Sequence, residues 1–216
     1  MSLNGTDAHR GLELPPLVAR AVELADRQGF PFSCRPEQGR LLRVLAGGAS
    51  SIAETGTGCG VGLAWLVTGA PSGATIVSVE RDPGRARVTA ELFADVPDVT
   101  VVHGDWTEIH GRAPYDLLVL DGGGAGKDGA GGIDGIDGIT ADPARLLTPG
   151  GTLVVDDFTP ARRWPILHEG EPDLVRLHWL EHPLLDAVEL RLAADLAAIV
   201  AVRTLHPSPV QPLPER

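Results

Sequence analysis

Apolar residues recur at helical spacing at the start of the chain and then switch to short, nearly continuous runs. From Pro15 to Gln28, Leu17, Val18, Ala21, Val22, Leu24 and Ala25 trace one helical face, and Gly29 follows as a stop. A second helix is predicted from Pro36, a residue suited to the first helical position, through Leu41, Leu42, Val44 and Leu45 to Gly47-Gly48. Strands and helices then alternate. Ser51–Glu54 reads as a strand and Gly60–Val67 as a helix. Ala74–Glu80 is a β-branched strand, and Asp82-Pro83 opens a helix running to Ala94. Val99–His103 and Tyr115–Asp121 are strands. Asp142-Pro143 begins a short helix that ends before Pro149-Gly150-Gly151, and Thr152–Asp156 is another buried strand.

Such alternation predicts an α/β fold, a doubly wound Rossmann-like sheet of seven mostly parallel strands with helices on both faces. The end of the chain departs from it. Only Ala193-Ala194-Asp195 separates the runs Ala187–Leu192 and Leu196–Arg203, too little for a crossover helix, so they should close the sheet as an antiparallel hairpin. Residues 15–205 read as a single domain. Residues 1–14 are polar and expected to be disordered, and residues 206–216 form a proline-rich tail. Residues 121–138 hold nine of the 27 glycines and cannot sustain a helix or strand. They read either as a solvated loop or as a mobile lid, since they leave the carboxyl end of a buried strand.

Composition narrows the function. A net charge of −11 disfavours nucleic acid, whose binding draws on a basic face. No apolar run approaches the roughly 18 residues of a membrane span. The N-terminus carries no signal-like apolar core, so a cytoplasmic location is expected. Cys34 and Cys59 lack ligand-like spacing and read as reduced thiols.

The most informative stretch is Glu54-Thr55-Gly56-Thr57-Gly58-Cys59-Gly60, between a strand and a helix. A dinucleotide site needs G-x-G-x-x-G, but the third glycine falls on Val61, Leu63 or Trp65 in the three frames, and no Gly-Lys-Ser/Thr stands nearby for a phosphate loop. The pattern E-x-G-x-G-x-G resembles motif I of class I methyltransferases. That resemblance implies that the turn holds the methionine part of S-adenosyl-L-methionine, with Glu54 orienting its amino end. A carboxylate suits the cationic ammonium and sulfonium better than it would a pyrophosphate. Glu80 ends the second strand 24 residues after Gly56, where an acid can accept both ribose hydroxyls, and Arg81 follows it. His103-Gly104-Asp105-Trp106 follows the third strand. By the same resemblance Asp105 would accept from the adenine amino group and Trp106 would meet the ring, while His103 reads as a strand-end residue. YDLLVLDGG and LLTPGGTLVVDDF are similar to later motifs of the family, so the resemblance spans about residues 36 to 203.

Asp121 ends strand four and Asp156-Asp157 end strand five, which should bring three carboxylates together. Converging carboxylates repel unless protonated or bound to a cation, and oxygen donors suit Mg²⁺. The set resembles the catechol O-methyltransferase-like family, in which carboxylates at these strand ends bind Mg²⁺ and activate a substrate hydroxyl. Asp121, Asp156 and Asp157 are therefore candidate metal ligands, and Asp121 is also a candidate cofactor and catalytic residue. Two departures stand out. The family's catalytic lysine position is Gly124 here, while Lys127, the only lysine, lies three residues further on and is the candidate base. Asp157 stands where the family commonly has Asn. Arg162, Arg163, Trp164, His168, His178 and Trp179 are candidate pocket residues. The resulting expectation is O-methylation of a small-molecule acceptor by direct displacement, with a homodimer suggested by similar families. The alternatives are an NAD(P)-binding oxidoreductase and a non-catalytic binding protein on the same scaffold.

Overall fold

The computed structural model describes residues 4–126, 140–161, 164, 166–168 and 170–205. Helices α1 (Pro16–Arg27) and α2 (Pro36–Ala46) precede strand β1 (Ser51–Thr55), helix α3 (Val61–Gly69), β2 (Thr75–Glu80), α4 (Pro83–Leu92), β3 (Val99–His103) and β4 (Tyr115–Leu120). After a short α5 (Pro143–Leu146) come β5 (Leu147–Phe158), the two-residue strands β6 (Leu167–His168) and β7 (Glu171–Pro172), α6 (Leu174–Leu180), β8 (Leu185–Arg191) and β9 (Ala197–Arg203). The main sheet has seven strands in the order β3-β2-β1-β4-β5-β9-β8. β1 to β5 are mutually parallel, and β9 joins β5 antiparallel with β8 outside it, as the short Ala193–Asp195 link demanded.

Strand periodicity sorts the core into two faces. Ile52, Ile76, Leu117, Val119, Val154 and Ala198 face one side, packed by α1, α2 and α3. Their neighbours Ala53, Val77, Leu118, Leu120, Val155 and Ile199 face the other, with Ile109, Leu146 and Trp179. Helix α3 has no polar face because it is enclosed: Val61, Leu63, Ala64, Trp65 and Leu66 are all buried. Asp82 caps α4 by accepting the Arg85 N–H at 2.8 Å.

Four expectations are corrected. Residues 4–14 are docked against the domain, with Thr6 and His9 buried, because their polar groups find partners there; residues 1–3 and the 206–216 tail lie outside the described residues. β5 begins at Leu147 and pairs with Tyr115 before Pro149-Gly150, then re-registers at Thr152. Helix α4 ends at Leu92, two residues early. Val44 is exposed, since the buried seam of α2 runs through Gln38, Gly39, Leu42 and Ala46.

β1 lies between β2 and β4, so the chain leaves its carboxyl end towards one side of the sheet and leaves β4 towards the other. A crevice opens between the two departing segments. Their backbones approach most closely at two glycines: a Cβ on Gly56 would sit 2.5 Å from the Gly122 Cα, and one on Gly122 would strike the Gly56 Cα. Gly122 has no positive φ, so Gly122→Ala tests the close approach without backbone strain. We expect a loss of about 1–3 kcal/mol, the usual cost of overpacking, seen as a fall in Tm of roughly 3–10 °C in thermal unfolding.

Candidate functional site

The turn after β1 is built by its glycines and by β2. The N–H groups of Gly56 and Thr57 both donate to the Val79 carbonyl, at 2.8 and 3.1 Å. Gly56, Gly58 and Gly60 all have positive φ, which lets the chain reverse into α3 within five residues. On the facing side the Thr55 carbonyl accepts from Asp121 and Gly122, and the Thr55 hydroxyl donates to the Gly123 carbonyl at 2.9 Å.

A cavity opens in the crevice, at the strand ends where open α/β sheets bind ligands. Its floor is Gly56, Thr57, Gly58 and the first turn of α3 at Val61 and Gly62. Glu54, Glu80, Arg81, Asp105, Trp106 and Asp121 line it from the strand ends. Thr55 and Gly60 shape the turn without lining the cavity.

Each acid has a distinct environment. Glu54 is 2 % exposed and accepts the Ser78 hydroxyl at 2.5 Å; Ser78 in turn contacts the Thr57 hydroxyl at 2.6 Å. Burial pushes Glu54 up to about 8, opposed by the Ser78 hydrogen bond and assisted by the charges of Asp156 and Glu80. Glu80 accepts the Gly58 N–H on one oxygen at 2.8 Å. Its other oxygen takes the Asp82 N–H at 2.8 Å and the Arg85 guanidinium at 3.0 Å. It is thereby held rigid while facing the cavity, and its remaining lone pairs suit hydroxyl donors. Asp105 caps the 3-10 turn Trp106–Arg112 through the Thr107 N–H and hydroxyl, at 3.1 and 2.9 Å. Capping and cavity lining coexist there. Trp106 packs against Gly123 and Gly124, where side chains would collide with its ring.

Among the described residues no three His, Cys, Asp or Glu side chains are placed to hold an ion. Asp156 is 3 % exposed and accepts a very short hydrogen bond from the Gln38 amide of α2. Asp157 sits in a bulge between the Val155 and Phe158 pairings with φ of +63°, which breaks the strand geometry that was to align the two acids. Lys127, Arg162 and Arg163 lie outside the described residues. Trp179 is core, its indole N–H donating to the Ala125 carbonyl at 2.9 Å; His178 is half-buried beside it, and Trp164 is exposed.

Sequence reasoning missed one wall of the cavity, residues Phe30, Phe32, Ser33 and Cys34 between α1 and α2. It also missed Arg85, whose guanidinium lies 5.2 Å from the Phe30 ring centroid, and Gln38. Paired phenylalanines in Gly29-Phe30-Pro31-Phe32 were the available signal, in a chain with four Phe. Burial and the charges of Asp121, Glu54 and Asp156 push the Cys34 thiol well up, and burial pushes Cys59 up to about 11, so neither is a thiolate nucleophile.

No protein-family model matches the chain. A protein of Mycobacteroides abscessus named as an O-methyltransferase is 30% identical over 169 residues, 74% of each chain. One so named in Mycolicibacterium smegmatis is 30% identical over 159 residues, covering 69% of this chain and 71% of the relative. Among solved structures, TomG of Streptomyces achromogenes, an O-methyltransferase of tomaymycin synthesis in complex with SAM, superposes with a TM-score of 0.67 at 19% identity, covering 93% of this chain and 95% of that one. The O-methyltransferase of Bacillus cereus in complex with SAH gives 0.66 at 18% identity, covering 93% and 96%. The structural likeness establishes the Rossmann-like methyltransferase fold, and the sequence relationship establishes the family: the chain belongs to the S-adenosylmethionine-dependent O-methyltransferases.

Proposed function

We propose that the crevice binds S-adenosyl-L-methionine and that the chain transfers its methyl group to a hydroxyl oxygen of a small molecule. The observation that carries this reading is the placement of Glu54, Glu80 and Asp105 at three successive strand ends around one glycine-floored cavity. Asp105 and Trp106 take the adenine, Glu80 the ribose hydroxyls, and the Gly56–Gly58 turn with Glu54 the methionine end. Arg81 and Gly104 close the adenosine side, and Asp121 stands beside the transferring centre. The acceptor oxygen attacks the sulfonium methyl carbon in line as the carbon–sulfur bond breaks. Its proton leaves to a base, and S-adenosylhomocysteine remains. Alignment and charge complementarity supply the catalysis. The net charge of −11 favours an uncharged or cationic acceptor over a polyanion. Among the described residues no helix is long and apolar enough to cross a membrane, and we read the protein as a cytoplasmic homodimer acting on a dissolved acceptor.

Incubation with methyl-labelled S-adenosylmethionine and a panel of hydroxylated small molecules tests the reading. Label should enter an ether or ester product; label on no acceptor, despite cofactor binding, would make the chain a binding protein. Glu80→Gln keeps shape but replaces an acceptor oxygen by a donor, and should raise the KM for S-adenosylmethionine roughly 10- to 100-fold with a smaller change in kcat.

Glu54 generates a pH prediction. Between about pH 4.5 and 8 the folded chain retains a proton that the unfolded chain has released. Unfolding then releases the proton, so the ligand-free protein loses stability as pH rises through this window, by up to about 1.4 kcal/mol per pH unit. Glu54→Gln should remove this slope, giving a higher Tm than the parent at pH 8 and a similar one near pH 4.5.

The Gln38 amide on Asp156 supports a transfer that needs no cation held by Asp121, Asp156 and Asp157. Gln38→Leu removes that donor and should cost about 1–3 kcal/mol in urea unfolding, whereas Mg²⁺ should leave the Tm of the parent protein unchanged.

A further inference from the structure

One wall of the cofactor cavity does not come from the sheet. Residues 30–34 join α1 to α2 without regular structure, yet Phe30, Phe32, Ser33 and Cys34 face the cavity. This wall touches the machinery directly. Phe30 packs against Gly58, where a Cβ would lie 2.8 Å from its Cε1. Its ring meets Phe32 edge-on at 5.7 Å and lies under Arg85, the residue that donates to Glu80. Cys34 lies close enough to Glu54, Asp121 and Asp156 to feel their charges. A loop reaching both the glycine turn and the acids needs its backbone held, and Pro31 brings no N–H of its own.

The holding groups come from the N-terminal segment. Thr6 is 3 % exposed. Its N–H donates to the Pro31 carbonyl at 3.3 Å and its hydroxyl to the Phe30 carbonyl at 2.6 Å. A hydroxyl has one proton, so the 2.8 Å contact between Thr6 Oγ1 and Ser33 Oγ must have Ser33 as donor. One buried threonine thus gathers three points of the wall, at Phe30, Pro31 and Ser33. The segment is itself bolted to α3. The Trp65 indole N–H approaches His9 Nε2 at 3.5 Å, and His9 Nδ1 contacts the Gly5 carbonyl at 3.0 Å. With Nε2 accepting, Nδ1 carries the proton and donates to Gly5. α3 is the helix whose first turn lines the same cavity.

We propose that Thr6 is a positioning residue for the cofactor site, fixing the 30–34 wall through the Phe30 and Pro31 carbonyls and the Ser33 hydroxyl. The proposal rests on the cofactor reading above and adds to it a site element from outside the strand ends. Thr6 does not line the cavity, so it acts through the wall. Without its hydroxyl the Phe30 carbonyl and the Ser33 hydroxyl lose a partner, the wall samples other positions, and binding must restore the closed one at a cost in affinity.

The test is calorimetric titration of S-adenosylhomocysteine into the full chain, its Thr6→Val and Thr6→Ser variants, and Ile199→Val, a core truncation in β9, with thermal unfolding of each. Thr6→Val is expected to bind about tenfold more weakly with a Tm loss of a few degrees, Thr6→Ser to bind as the parent does, and Ile199→Val to lose Tm without losing affinity. Folded Thr6→Val that binds within about twofold of the parent would overturn the proposal. So would an affinity loss in Ile199→Val matching that of Thr6→Val at equal Tm, since stability alone would then explain it. Failure of the parent itself to bind would instead remove the cofactor reading on which the proposal stands.

Discussion

Everything at the active edge depends on two backbones meeting where neither residue has a side chain. Gly56 leaves β1 and Gly122 leaves β4, at the point where strand order reverses. Their contact brings the Thr55 carbonyl within reach of the Asp121 and Gly122 N–H groups, which fixes the angle between the departing segments and so the width of the crevice. Glu54 on one strand and Asp121 on the next then face a common space. Larger residues would separate the segments, and the acids would no longer converge.

That convergence has an electrostatic cost which the ligand offsets. Glu54, Glu80, Asp105 and Asp121 line one cavity of a protein with a net charge of −11, and Glu54 is buried deeply enough to keep its proton up to about pH 8. A ligand carrying an ammonium and a sulfonium meets a site already organised for positive charge, with hydroxyls and backbone N–H groups holding the acids in place. Gln38 performs the same service for Asp156 from behind, a neutral donor where an ion had been anticipated. The structure thus holds strand-end carboxylates in two ways: facing a cavity open to a cationic ligand, and hydrogen-bonded within the protein.

What was legible in the sequence followed from repetition. The short, nearly continuous apolar runs announced buried strands such as Tyr115–Leu120, and the three-residue Ala193–Asp195 link required an antiparallel hairpin. The glycine turn and its acids were legible because their spacing relative to the strands is itself the geometry of the edge. Features made by partners distant in sequence were not. Thr6 and His9 read as polar and loose, because their partners Phe30, Ser33 and Trp65 lie 24 to 56 residues away. Gln38 gave no signal in the sequence, because its partner is 118 residues away. The bulge in β5 was not legible either: Asp157 adopts a left-handed conformation that no strand pattern announces.

The central claim is that the glycine-floored, acid-lined crevice is a site for S-adenosylmethionine rather than for a dinucleotide. Calorimetric titration of the unmodified protein with S-adenosylhomocysteine and, separately, with NAD tests it most directly. The account predicts saturable one-to-one binding of S-adenosylhomocysteine in the micromolar range, about −8 kcal/mol, and no saturable heat with NAD. Binding of NAD alone, or of neither ligand, would contradict it.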